Sequence, residues 1–141
     1  MSGTPSKGDY SERTVLRNVQ TDVEAVQSRV ADSLAHFKYE GTEQFAIRLA
    51  LEEGLTNAFR HGNKNDPAKS VRFLCRISAH EAYFEIEDEG PGFDPETVPD
   101  PTSDENIEIP SGRGIMLIRA YMSEVEYLKP GNRLRMLYRR P

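Results

Sequence analysis

Residues 71–77, VRFLCRI, and 82–88, AYFEIED, both alternate apolar and polar side chains, with only a short polar turn around His80 between them. A period of two sends successive side chains to opposite faces of a strand. Val71, Phe73, Cys75 and Ile77 therefore share one face, and Arg72, Leu74 and Arg76 the other. In the second run Phe84 and Ile86 alternate with Glu85 and Glu87. Two such runs with a short connection predict an antiparallel hairpin with one buried face. That face must be covered, and the need for a cover constrains the fold more than any other stretch.

The cover is encoded upstream. RTVLRNVQ, residues 13–20, reads as a short strand. After it, Thr21 and Glu24 stand at capping-box spacing. Val23, Val26, Val30, Leu34 and Phe37 then recur at steps of three and four, which is one apolar helical stripe, and Gly41 is read as its end. A second helix is predicted from Thr42 to His61, with Gly62 placed to stop it. Downstream, GIMLIRAYM reads as a helix and SEVEYLKPGNRLRMLYRR as a second hairpin turning at Pro130–Gly131–Asn132. In that hairpin Glu124 and Glu126 are expected to pair with Arg133 and Arg135. Strands cluster instead of alternating strictly with helices. The fold class is α+β, a two-layer sandwich with a mixed, mostly antiparallel sheet covered on one face by helices. Residues 1–11 are expected as a disordered lead-in and 12–141 as one domain.

Composition narrows the function. The chain has 141 residues, of which 37% are hydrophobic, with six Phe and six Tyr, enough for one domain with a core. A net charge of -5 leaves no basic excess for nucleic-acid phosphates or acidic lipid. Cys75 is the only cysteine, so no intrachain disulfide or cysteine metal cluster forms, and it is expected in the core. The opening MSGTPSKGDY has no apolar signal region and no run is long enough to cross a bilayer. The expected location is the cytoplasm.

Three elements could carry chemistry. On the second helix Ala46, Ala50, Glu53 and Asn57, spaced four, three and four apart, fall in one sector, with a carboxylate and an amide beside small residues. Ile47, Leu51, Leu55 and Ala58 form a separate apolar sector. Asp88 has the parity of Phe84 and Ile86, so it faces the covered side at the end of its strand, where a carboxylate needs a donor. Gly90 and Gly92 follow; they permit positive φ and close approach to a bound group. Gly112–Arg113–Gly114 opens a helix, where free N–H groups and the macrodipole favour phosphate. Taken singly, these elements also fit a solvated helix face, a Gly-rich turn and an N-terminal turn. Between the last two lies residues 93–111, with four prolines, six acids and no basic residue, a loop of the length usually functional or disordered.

In this order, E-x-x-x-N on a helix, D-x-G-x-G after a strand, a long loop and G-x-G opening a helix resemble the Bergerat fold of the GHKL ATPases over about residues 12–140. EEGLTNAFRHGN and GRGIMLIRAYMSEVEY are most similar to the anti-sigma-factor serine kinases of bacterial partner switching. The resemblance implies ATP and Mg²⁺ as cofactors. Asn57 would coordinate the Mg²⁺ that bridges the phosphates, and Glu53 would be the general base. Asp88 would accept from the adenine amino group, above a floor shaped by Gly90 and Gly92. Gly112, Arg113 and Gly114 would wrap the phosphates, with 93–111 as the ATP lid. It further implies a serine of a STAS-type anti-anti-sigma protein as substrate, a sigma factor as second partner, and a homodimer formed through the sheet region. The chain starts within a few residues of its first strand, which favours a stand-alone kinase over the catalytic domain of a larger receptor. A non-catalytic, nucleotide-dependent regulator of the same fold is the alternative, and Glu53 favours catalysis. The chain departs from the pattern where Asn132 follows Gly131, since many relatives place a threonine there. His61 reads as a helix C-terminal dipole partner, whereas His36 and His80 have no metal-ligand company.

Overall fold

A computed structural model describes residues 9–90, 118–128 and 132–141. Strands β1 (Tyr10–Leu16), β2 (Val71–Ile77), β3 (Glu81–Glu87), β4 (Glu124–Leu128) and β5 (Arg133–Arg139) form one sheet in the order β1-β2-β3-β5-β4. Helices α1 (Thr21–His36) and α2 (Gly41–Asn57) join β1 to β2, and a π-helical turn, Ala58–Gly62, continues α2. Residues 118–121 are helical.

Every described pairing is antiparallel, where a mixed sheet was expected. The connections explain this. Two helical passes return the chain to the end of the sheet it left, so β2 opposes β1, and β2–β3 and β4–β5 are hairpins. Strand β4 does run parallel to β3, but β5 lies between them and pairs with both.

The expected alternation holds. Val71, Phe73, Cys75 and Ile77 of β2, Ala82, Phe84 and Ile86 of β3, and Leu134 and Met136 of β5 are all buried. They join Val23, Val26, Val30 and Leu34 of α1 and Ile47, Ala50, Leu51 and Leu55 of α2 in one apolar cluster. Burying each large side chain contributes on the order of 2 kcal/mol. Burial pushes the Cys75 thiol up to about 12, so it is a core residue. Helix α2 comes unusually close to the sheet at Gly54. A Cβ there would stand 2.9 Å from Ile86 Cδ1 and 3.0 Å from Leu134 Cδ2. Ala46 and Ala50 are also buried, so they pack in the core and do not line an open face.

Several local readings change. Strand β1 begins at Tyr10, so Tyr10 and Ser11, read as lead-in, pair with Ile77 and Arg76 of β2. Helix α1 does not end at Gly41. Lys38 takes the left-handed conformation at φ 63°, with Lys38 N–H donating to Ala35 C=O and Tyr39 N–H to Leu34 C=O, the two bonds of a Schellman stop. At its start the amides of Gln20 and Thr21 donate to Asn18 Oδ1, in place of the Thr21–Glu24 box. The reciprocal cap belongs to α2, where Glu40 N–H donates to the Glu43 carboxylate at 2.8 Å.

On the sheet's other face, Arg135 pairs with Glu126 as expected, while Glu124 pairs with Arg139 and Arg133 with Glu85. The register accounts for this: Glu124 lies opposite Leu137, and Arg133 sits between Leu128 and Glu87. No helix among the described residues is long and apolar enough to cross a membrane.

Candidate functional site at the end of β3

The close passage at Gly54 lets α2 continue along the sheet until its π-helical end reaches the end of β3. A π turn widens the helix by one residue per turn and is frequent at functional sites. Here Asn63 N–H donates to Ala58 C=O at 2.9 Å, five residues back. This turn brings Gly62 against Asp88: a Cβ on Gly62 would stand 2.2 Å from Asp88 Cγ and Oδ2. The helical run does end at Gly62, but Gly62 has no left-handed φ and so is not a left-handed cap. Its hydrogen leaves space for a carboxylate. Gly90 is packed just as closely, since a Cβ there would stand 2.0 Å from the Gly62 carbonyl oxygen. Its φ is likewise not left-handed, and the group it approaches is the chain's own backbone.

Asp88 is half-buried, as its parity required. Its Oδ1 accepts from Gly90 N–H at 2.7 Å. Desolvation by burial is the main influence on the carboxyl and Glu87 adds to it; Gly90 N–H and Lys69 oppose, and its pKa is raised to about 6. The main chain around it is pinned. Asn132 Nδ2 donates to Asp88 C=O and Asp88 N–H donates to Asn132 C=O, both at 2.9 Å. Glu89 N–H donates to Asn63 Oδ1 at 2.7 Å, and Asn63 Nδ2 donates to Ser70 C=O at 2.9 Å. The Glu89 carboxylate in turn accepts from Ser70 N–H and Oγ–H.

Glu53 and Asn57 lie on α2 on the approach to this corner, both half-buried. The Asn57 Nδ2 is buried and makes no hydrogen bond with any described residue. An unpaired buried amide costs about 1–3 kcal/mol, so a native protein retains one where something else uses it. Tyr127 of β4 lies opposite Leu134 of β5. Burial raises its phenol pKa strongly; Arg119 opposes this, while the Asp88 and Glu53 carboxylates reinforce it. The phenol is therefore within electrostatic reach of both carboxylates.

Among the described residues, no group of three His, Cys, Asp or Glu could cage a metal ion. A Mg²⁺ ion does not need such a cage. It keeps several waters and takes one or two protein oxygens plus substrate phosphates. The Asn57 side-chain oxygen is a donor of the kind that set takes, whereas its unpartnered Nδ2 is an N–H donor suited to an acceptor such as a phosphate oxygen.

Of the residues expected from the sequence, Asp88 and Gly90 stand against Gly62 at the end of the helix, and Glu53 and Asn57 lie on α2 ahead of it. Gly92, Gly112, Arg113 and Gly114 lie outside the described residues, as do the proposed lid at 93–111 and the turn residues Pro130 and Gly131. Sequence reasoning missed the roles of Gly62, Asn63, Asn132 and Tyr127. Tyr127 could have been found by parity, because Glu124 and Glu126 face outward and put the residue after Glu126 on the covered side.

A family model described as the histidine kinase-like ATPase domain matches residues 16–138. No curated protein matches the chain.

Proposed function

Because this chain belongs to the histidine kinase-like ATPase family, we propose that it is a protein serine kinase and anti-sigma factor. In this reading it binds ATP where α2 meets the end of β3 and phosphorylates a serine of a STAS-type anti-anti-sigma partner. The observation that carries the ATP site is one corner holding a half-buried carboxylate, Asp88, braced on Gly62, together with an unpartnered buried amide on Asn57. The kinase and partner assignments rest on the similarity of EEGLTNAFRHGN and GRGIMLIRAYMSEVEY to the anti-sigma kinases.

Each residue then has a task. The Asp88 carboxylate accepts from the exocyclic amino group of adenine, with Gly90 against the Gly62 backbone behind it. Asn57 holds Mg²⁺ through its side-chain oxygen. When bound, that ion neutralises charge on the β- and γ-phosphates. Glu53 accepts the proton of the incoming serine hydroxyl as its oxygen bonds to the γ-phosphorus. The bond from that phosphorus to the β–γ bridging oxygen breaks, ADP leaves, and the proton on Glu53 passes to water. Gly112, Arg113 and Gly114 complete the phosphate contacts, residues 93–111 close over the nucleotide, and the protein acts as a homodimer in the cytoplasm. Incubation with γ-labelled ATP and STAS proteins encoded beside its gene tests the proposal. Label on a partner serine is the expected result. Nucleotide binding without transfer would leave a nucleotide-switched regulator in its place.

A further inference from the structure

We propose that Gly62 and Asn63 are positioning residues for base recognition: together they fix where the Asp88 carboxylate stands. The proposal rests on the adenine-binding reading of Asp88 and extends it to two residues that never touch the base. Gly62 acts by absence. Its bare Cα leaves the space in which the Asp88 carboxyl stands, since a Cβ would lie 2.2 Å from Cγ and Oδ2 and 2.6 Å from Oδ1. The aspartate side chain is short, so it cannot evade such a contact without moving its own backbone or leaving its rotamer.

Asn63 acts by occupying both ends of its amide. It is 1% exposed, and it accepts from Glu89 N–H with Oδ1 while donating to Ser70 C=O with Nδ2. Its own backbone N–H closes the π turn on Ala58 C=O, and its C=O accepts from Asp66 N–H. One buried residue thereby joins the end of α2, the lead into β2 and the residue after Asp88. The main chain of three consecutive residues is thus held: Asp88 by Asn132, Glu89 by Asn63, and Gly90 by the Asp88 carboxylate itself. Asp88 Oδ1 is used within this cage. Its Oδ2 accepts no hydrogen bond from a described residue and is the oxygen assigned here to the adenine amino group.

An amide this deeply buried could serve stability alone, and the test has to separate that from positioning. Binding of ATP and of purine riboside 5′-triphosphate, which lacks the amino group, is measured on the full chain and on Gly62→Ala, Asn63→Ser and Asp88→Ala. If positioning is right, Gly62→Ala and Asn63→Ser each weaken ATP about tenfold, the scale of one hydrogen bond to a charged group, and hold the analogue within about twofold. In an Asp88→Ala background neither change weakens ATP further. Parallel loss for both nucleotides, or no loss for ATP, overturns the proposal. Asn63→Ser carries the comparison if Gly62→Ala does not fold. A separate readout needs no nucleotide: the Asp88 carboxyl carbon is followed by NMR across pH. Its titration midpoint should fall toward the ordinary carboxylate range in Gly62→Ala, and an unmoved midpoint rejects the positioning role. If Asp88→Ala leaves ATP binding unchanged, the adenine reading fails by itself, and the NMR titration still decides whether Gly62 places the carboxylate.

Discussion

Asn132 and Asp88 hold each other through two hydrogen bonds of 2.9 Å, one from the Asn132 amide to the Asp88 carbonyl and one from the Asp88 N–H to the Asn132 carbonyl. The Asn132 side chain thus grips the main chain of the residue proposed to bind adenine. The bond spends none of the Asp88 carboxylate oxygens. It leaves the carboxyl to Gly90 N–H and to the wall at Gly62.

The raised pKa of Asp88, about 6, gives nucleotide binding a pH dependence. An amino-group donor favours the ionised carboxylate, so binding below this pKa must expel a proton. ATP affinity should fall as pH drops below 6, by up to about tenfold per unit, and level off above it. The terminal phosphate of ATP titrates near 6 as well. The ratio of wild-type to Asp88→Asn affinity, measured calorimetrically from pH 5 to 8, cancels that contribution. A ratio constant with pH would remove Asp88 from the binding step. In the free protein the sign is opposite. The folded state holds the proton more tightly than the unfolded one, so burial of Asp88 costs stability above pH 6 and the cost disappears as pH falls toward 4.

Asn57→Ala should separate binding from folding. The Nδ2 of Asn57 makes no hydrogen bond with any described residue, so its removal should change unfolding stability by no more than about 1 kcal/mol. Loss of a Mg²⁺ ligand should cost at least about tenfold in Mg-dependent ATP affinity. Chemical denaturation checks the first effect and calorimetry with Mg²⁺ and with EDTA the second. Unchanged Mg-dependent affinity sinks the assignment.

Glu53→Gln preserves the size of the side chain and removes its basicity. Phosphoryl transfer should slow by roughly 10²–10⁴-fold, the usual contribution of a general base, with ATP affinity within about twofold. Single-turnover transfer to the partner serine is the measurement, and an undiminished rate rules Glu53 out as the base.

At the far end of α2, Glu43 is 7% exposed and pairs with Arg140 at 3.0 Å. Burial alone would raise its pKa, but Glu40 N–H, Arg140 and Tyr138 together outweigh burial and lower it. A lowered folded pKa means the ionised carboxylate stabilises the fold above its unfolded value, about 4.3, and that this is lost as pH falls through the folded value. Glu43→Gln should therefore melt earlier than wild type at pH 7, with the gap closing below about pH 4. A gap that does not change with pH would show that the pair contributes through packing alone.

How much of this was legible depended on the range of each interaction. The alternation of Val71–Ile77 and of Phe84–Ile86 could be read because periodicity is a local property and the hydrophobic effect sorts faces without regard to partners. The same parity placed Asp88 on the covered side, and the four-residue step placed Glu53 and Asn57 one turn apart. Gly62 was misread because a glycine after a helix commonly caps it, and nothing local distinguishes that from a glycine required by a carboxylate 26 positions later. Lys38 was missed for a related reason: a left-handed lysine is unfavourable alone, and buried Leu34 and Tyr39 on either side of the turn hold it.

The sequence by itself determined the elements, the covered face of the sheet and the residue types able to bind a nucleotide. These follow from backbone geometry and burial, which act over a few residues. Only the tertiary structure decided that β5 lies between β3 and β4, that Asn63 and Asn132 grip the chain around Asp88, and that Gly62 stands against its carboxylate. The contacts around Asp88 join residues 26 to 44 positions apart, and their energy exists only once the hydrophobic layers have closed and brought the ends of α2, β3 and β5 to the same corner.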